Sequence, residues 1–260
     1  MISNKYLSYS LEALKISSEQ VMNLYKKNIT FKMKSKNYRD IVSEVDKLSE
    51  SIIFDLIYSK YSNHNFILEE GIDIINKNDY TWYIDPLDGT VNFSKGLDTF
   101  AISIGLTFKN KIIMGLVSLP AFNAIYYTSN NKSFKNGKKL ICSKTKDIHN
   151  SLNIFAFSSQ NYKRKQKEYA LFGKINDMSI GSLRIGSSAF ALTQLAEGKV
   201  DSFIGFNVKT WDIYGGLMLA LNSGCQAHIG KVFNNTIDYV VISNNSIFKN
   251  LRSIIQDNIK

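Results

Sequence analysis

The sequence predicts a mixed α/β fold in which two helices lie on a largely antiparallel sheet and an alternating α/β half follows. Three observations carry this reading. Apolar residues recur at helical spacing through the first quarter of the chain, short strand-like runs follow one another to about residue 128, and strand and helix patterns alternate past Asp147.

In the stretch 5–27, Leu7, Leu11, Leu14, Val21 and Leu24 share one face, which predicts an amphipathic first helix with Ser18 weakening one turn. After the basic connection Lys32-Met33-Lys34-Ser35-Lys36, a second helix is expected over 41–61, where Val42, Val45, Leu48, Ile52 and Leu56 form a stripe. Asp46 and Glu50 lie four apart beside it. Runs rich in Ile, Phe, Tyr and Thr at 66–68, 81–84, 99–108, 112–119 and 124–128 read as strands, and Asn136-Gly137 marks a hairpin turn. The second half reads as strand 152–157, helix 165–175, helix 187–197 stopped by Gly198, strand 200–204, helix 213–222 stopped by Gly224, strand 239–243 and helix 247–258. The two halves, 1–147 and 148–260, have no flexible linker between them and are expected to form one compact unit.

Composition narrows the class. Of 260 residues, 44% are hydrophobic and 21% charged, which excludes a disordered chain. The longest apolar stretches, 99–108 and 112–119, are far short of the roughly 18–20 residues a membrane-spanning helix needs. The first residues are polar and show no secretory pattern, and two cysteines, Cys142 and Cys225, make no disulfide framework. A cytoplasmic protein with packing cysteines is expected. The net charge of +10 is compatible with phosphorylated small molecules, anionic membranes or nucleic acid. Lysines are spread along the chain with no clustered basic and aromatic stripe, so neither membrane nor nucleic acid is the expected partner. His64, His149 and His228 stand in no motif, so neither a histidine phosphotransfer nor a zinc site is expected.

The chemistry concentrates in Trp82-Tyr83-Ile84-Asp85-Pro86-Leu87-Asp88-Gly89-Thr90-Val91-Asn92-Phe93. A strand delivers Asp85, Pro86 sets a turn, Asp88 follows, and Gly89-Thr90 opens a short helix whose N–H groups suit a phosphate oxygen. Glu69-Glu70 after an apolar strand and Asp212 after Trp211 at a helix start add further carboxylates. Each acid alone could be a cap or a solvated charge. Together they form the oxygen-rich set that a hard divalent cation requires.

These motifs resemble the inositol monophosphatase family. They are the Asp85-to-Thr90 run with Asn92-Phe93, Glu69-Glu70, the segment Asp40 to Asp46, and Trp211-Asp212 with Gly215-Gly216. Their order matches and they cover about residues 36–243. The resemblance implies a layered αβαβα sandwich of the inositol monophosphatase and fructose-1,6-bisphosphatase type. It implies a Mg²⁺-dependent, lithium-sensitive phosphomonoesterase with two or three metal ions per site, acting on a small phosphorylated metabolite as a homodimer. By that resemblance Glu69, Asp85 and the Leu87 carbonyl hold one metal, Asp85, Asp88 and Asp212 a second, and Glu69 also reaches a third. Thr90 and Asp46 orient the attacking water. Gly89 and Thr90 bind phosphate, and Gly186, Ser187, Ser188 and Asp212 contact substrate, Ser187 being equally explicable as a helix cap. Lys36 matches a family lysine near the metals or is a solvated lysine of a basic run; Glu70 is a second acid beside Glu69. Arg184 reads as a surface arginine, with a phosphate or partner-subunit contact left open. Gly205 stands where inositol-specific members carry an acid that meets sugar hydroxyls, and Tyr214 and Cys225 replace usual small residues. Inositol phosphate, 3′-phosphoadenosine 5′-phosphate, fructose 1,6-bisphosphate and histidinol phosphate therefore stay open as substrates. A regulatory, nucleic-acid-associated role on the same fold is the alternative class.

Overall fold

The structure is a computed structural model that describes residues 2–27, 29–33, 41–158 and 162–259. In chain order it runs α1 (Ile2–Leu24), β1 (Phe31–Met33), β2 (Ile41–Ser43), α2 (Glu44–Tyr61), β3 (Asn65–Leu68), β4 (Tyr80–Asp88), α3 (Thr90–Ser94), β5 (Ala101–Phe108), β6 (Lys111–Leu119), β7 (Ala124–Ser129), β8 (Lys132–Lys135) and β9 (Lys138–Lys139). The second half is β10 (Leu152–Phe157), α4 (Tyr162–Asp177), β11 (Gly181–Leu183), α5 (Ser188–Ala196), β12 (Ser202–Lys209), α6 (Thr210–Ser223), β13 (Cys225–Ile229), β14 (Val232–Phe233), β15 (Thr236–Asn244) and α7 (Asn245–Ile259).

Strands β3 to β9 form one seven-stranded sheet in sequence order, antiparallel except for the parallel pair β3–β4. Helices α1 and α2 cover one face, burying Ala13, Leu14, Val21, Val45, Ile53 and Ile57 against Phe66, Trp82, Ile104 and Leu116. The second sheet has the order β11-β10-β12-β15-β13, with β14 also paired to β15. Its β10 runs parallel to β11 and β12, while β15 is antiparallel to β12 and β13. Helices α4 and α7 close the outer face through Leu171, Ile175, Leu251 and Ile255, packed on Phe155, Ile204 and Val241.

Between the sheets lie α5 and α6. On one side of α6, a methyl group added at Gly215 would stand 2.5 Å from Ser103 Oγ and 2.9 Å from Leu116 O, so the helix rests directly on the first sheet. On another side, a methyl at Gly216 would stand 2.5 Å from Leu192 Cβ of α5. Ile213, Leu217 and Ala220 face Phe203, Val208, Val240 and Ile242 of the second sheet. The architecture is the expected αβαβα sandwich, and α6 is the layer both sheets share.

Two expectations need correction. The stretch 41–43 is strand, not the first turn of a helix, and pairs with β1. The helix begins at Glu44 and is capped by Ser43, whose hydroxyl accepts the Val45 N–H while Asp46 Oδ2 accepts the Ser43 N–H at 2.8 Å, a reciprocal capping box. The strand expected over 200–204 instead runs 202–209, because its far end pairs with Thr236 and Ile237 of β15. Strands β11, β13 and β14 carry no readable sequence signal, being at most five residues long.

Candidate active site

The site is built where β4 stops pairing regularly. Its register with β5 shifts between Asp85, opposite Ser103, and Asp88, opposite Ala101. That bulge turns successive carboxylates out of the ladder. Ser49 of α2 holds it by donating to Pro86 O at 2.7 Å, and the Leu87 N–H donates to Asp85 Oδ1 at 3.0 Å. Gly89 follows at φ +98°, a left-handed position where a side chain would also crowd Ser187 Cβ at 3.2 Å, so glycine is required for α3 to start beside α5.

Thr90 Oγ1 lies 3.0 Å from both Asp46 Oδ1 and Leu87 O. Asp46, fully buried on the first turn of α2, also accepts from Ser43, so the capping box and the Thr90 contact share one carboxylate. Burial pushes Asp46 above the usual carboxylate range, against the hydrogen bonds of Ser43 and Thr90 that favour its charge.

Asp88 Oδ2 accepts from Ser187 Oγ at 2.8 Å and from the Ala189 N–H at 2.5 Å, so the acid ties β4 to the start of α5. Ser187 caps that helix as well, accepting the Phe190 N–H at 3.1 Å, and both readings of this serine hold together. Asp212 occupies the first turn of α6 and accepts the backbone N–H of Lys209. Glu69 follows β3 directly and shares a hydrogen bond with Asp85. Its neighbour Glu70 gives its N–H to Glu50 Oε2 at 2.9 Å. Glu50, which the sequence placed only beside a helix stripe, and Ser49, which it did not single out, are thus positioning residues; no local signal reveals that they face the ends of β3 and β4. Asn92 is another, donating to Thr99 O and Ile185 O at 2.7 and 2.9 Å.

The acids raise one another. Asp85 stands well above the ordinary carboxylate range, chiefly through burial and then through the charges of Glu69, Asp88 and Asp212. Burial pushes Asp88 up to about 7 against the hydrogen bonds from Ala189 and Ser187. Asp212 is also well above its range, through burial and then Asp88 and Glu69, with Lys209 easing it. Four carboxylates thus converge, and Lys209 eases Asp212 among them. Among the described residues, no three Asp, Glu, His or Cys side chains are grouped so as to hold a metal ion as they stand, and Asp85 and Asp88 accept hydrogen bonds from protein N–H and O–H donors. The donor set nevertheless fits a hard divalent cation: all oxygen, crowded and mutually repelling, as such ions require.

A cavity of about 100 Å³ opens beside the cluster, lined by Asp88, Asp212, Gly186, Ser187, Ser188 and Arg184 among others. Glu69, Asp85, Leu87, Gly89 and Thr90 lie outside its lining. Arg184 is therefore at the cavity, where the sequence read a surface arginine. Gly205 is not. A methyl at Gly205 would meet Val240 Cγ1 at 3.0 Å and Phe203 Cε1 and Val208 Cγ1 at 3.1 Å, so its side-chain space is filled with apolar groups, and Phe203 lines the cavity instead. Lys36 lies outside the described residues.

The inositol monophosphatase family model matches residues 4–256. The chain belongs to the inositol monophosphatase family. Phosphatase activity and metal dependence are general to this family. Among its curated members, the chain is 32% identical over 226 residues to the chloroplastic phosphatase IMPL1 of Arabidopsis thaliana, covering 82% of this chain but 59% of that longer protein. It is 28% identical over 223 residues to Nus factor SuhB of Pasteurella multocida, covering 85% and 84% of the two chains. The solved inositol monophosphatase of Anabaena superposes with a TM-score of 0.85 at 24% identity over 99% and 98% of the chains, which shows the shared fold.

Proposed function

We propose that the protein is a Mg²⁺-dependent hydrolase of a small phosphate monoester, acting through water. The observation that carries this is the convergence of Glu69, Asp85, Asp88 and Asp212 beside the Thr90–Asp46 pair and a cavity lined by Arg184 and Ser187. Glu69, Asp85 and the Leu87 carbonyl would hold one metal and Asp85, Asp88 and Asp212 another, as the family resemblance implies. Bound there, divalent cations neutralise charge on the phosphoryl and leaving oxygens and lower the pKa of water.

The chain's own groups do the rest. Thr90 gives its proton to Asp46 Oδ1 and turns its lone pairs toward the attacking water, whose proton passes along that bond. Asp46, already held above its usual range by burial, is suited to keep it. The N–H groups of Gly89 and Thr90 hold phosphate oxygens, while Gly186, Ser187 and Ser188 border the leaving group. Because the Gly205 position is filled by Phe203, Val208 and Val240, no acid reads polyol hydroxyls there, and Arg184 offers a cation instead. This favours substrates with a second anionic group over inositol 1-phosphate. A cytoplasmic homodimer is the expected setting, checked by light scattering.

The test is phosphate release, with and without Mg²⁺, from inositol 1-phosphate, 3′-phosphoadenosine 5′-phosphate, fructose 1,6-bisphosphate and histidinol phosphate. Turnover by the native chain that Asp88→Asn abolishes supports the reading; no release under any metal condition overturns it. The Nus factor name of a relative and the net charge of +10 favour a second reading, a binding role on the same fold. Strongly salt-dependent RNA binding without phosphate release would mark it.

A further inference from the structure

The sequence treats Cys142 and Cys225 as unrelated packing residues, but the fold makes them neighbours. Cys142 follows β9 and donates its N–H to Ser223 O at 3.0 Å, two residues before Cys225. Its Sγ lies 3.3 Å from where a methyl group on Gly224 would stand, and its side chain packs against the cluster that contains Cys225. The two thiols interact with each other, and neither is in a disulfide. They differ in access: Cys142 is half-buried, whereas Cys225 is 6% exposed.

The backbone on both sides is already fixed. Ser143 Oγ donates to Asp201 Oδ1 at 2.6 Å and accepts from Asn244 Nδ2 at 2.8 Å, and Asn244 also donates to Thr145 O. Gly198 has no room for a side chain against Ser143 N, at 2.9 Å. Gly224, at φ +109°, ends α6 and delivers Cys225 to β13. The backbone bond from Cys142 to Ser223 and the approach of Cys142 Sγ to Gly224 thus set the two cysteines on adjoining segments, the proximity a disulfide needs.

We infer that Cys142 and Cys225 form a peroxide-oxidisable dithiol that closes to an intramolecular disulfide, tying the segment after β9 to the C-terminal end of α6. Cys142 is the attacking thiol. It is the accessible one, and the adjoining Cys225 thiol draws it below the ordinary thiol range, while the same contact and burial raise Cys225. The Cys142 sulfur attacks a peroxide oxygen, forming S–O and breaking O–O; hydroxide leaves and takes up the thiol proton as water. Cys225 sulfur then attacks the sulfenic sulfur, forming S–S and breaking S–O, and its proton leaves with the departing hydroxide as a second water. Two thiols lose two electrons and one hydrogen peroxide gains them. Cys225 needs no access to solvent, because its partner reaches it. In a reducing compartment the pair rests as the dithiol.

The reduced full-length chain is treated with a small excess of hydrogen peroxide, then denatured and analysed. The expected result is loss of both titratable thiols with no oligomer, a mass lower by about 2 Da, a linked peptide pair containing Cys142 and Cys225, and full recovery with dithiothreitol. Cys225→Ser should trap a dimedone-reactive sulfenic acid at Cys142. Cys142→Ser should keep its remaining thiol about tenfold longer than Cys225→Ser does. Retention of both thiols, disulfides between chains, or faster oxidation of Cys142→Ser would overturn the inference. None of these readouts depends on phosphatase activity.

Discussion

Thr90 shows how much one hydroxyl can be asked to do. It lies at hydrogen-bond distance from Asp46 and from the Leu87 carbonyl, and Asp46 is itself committed to Ser43. Thr90→Val removes the link between water and Asp46 while keeping the shape, so kcat is expected to fall by about 10²- to 10⁴-fold with little change in KM, whereas Thr90→Ser retains most activity. Steady-state kinetics of the two variants checks this, and equal losses would mean the methyl rather than the hydroxyl matters. At the cavity, Arg184→Gln should raise KM for a substrate with a second anionic group about tenfold and leave inositol 1-phosphate unaffected; a uniform loss across substrates would remove Arg184 from specificity. Asp85, Asp88 and Thr90 were picked out because their chemistry is crowded into one short run, whereas Asp46, Glu69 and Asp212 were assigned to the site through the family resemblance. The contacts of Glu50 and Ser49 were not legible, since each acts on an element remote in sequence. What fills the space at Gly205 was not legible for a related reason: whether a strand residue faces the cavity or the packing depends on neighbours such as Val240 that spacing does not reveal.

At the scale of elements, the two glycines of α6 are there for closeness. Alanine normally strengthens a helix by about 1 kcal/mol over glycine. At Gly215, however, the added carbon would sit 2.5 Å from Ser103 Oγ and 2.9 Å from a backbone oxygen of β6, which cannot yield as a side-chain end can. Gly215→Ala is therefore expected to cost about 1–3 kcal/mol net and to lower activity by displacing Asp212, which precedes it by about one turn on α6. Gly173 on α4 is the internal comparison: nothing lies within 4 Å of its would-be side chain, so Gly173→Ala should stabilise by about 0.5–1 kcal/mol. Urea denaturation of both variants measures the contrast. The helices were readable because their caps and stripes are local, down to the Gly224 stop of α6. The edge strands were not. β11, β13 and β14 are strands because β10 and β15 offer them partners, and three-residue segments such as Gly181–Leu183 carry no period of their own.

The whole molecule brings four carboxylates from β3, β4 and α6 to the junction between its two sheets, and that placement couples metal, pH and stability. Asp88 is held up to about 7, and Asp85 and Asp212 stand well above their ordinary range, whereas in the unfolded chain such groups release their protons near 4. The folded chain without metal thus binds more protons than the unfolded chain between these limits. Its stability from these groups is complete below about pH 4 and falls as pH rises, the share of Asp88 being lost through about 7. A divalent cation binds the ionised form, so its stabilisation should grow over the same interval as the protons leave. Calorimetry in EDTA and in Mg²⁺ across pH 5 to 8 reads both curves. We expect Tm in EDTA to fall with pH, the Mg²⁺ increment to widen, and Asp88→Asn to flatten the EDTA curve near pH 7 while narrowing the increment. The easing of repulsion in a chain of net charge +10 would push the EDTA curve the opposite way, and the variant retains that effect, so the difference between the two proteins isolates the carboxylates. An increment that does not change with pH would mean that the cluster binds its cation without giving up protons, and the linkage argued from its burial would fail.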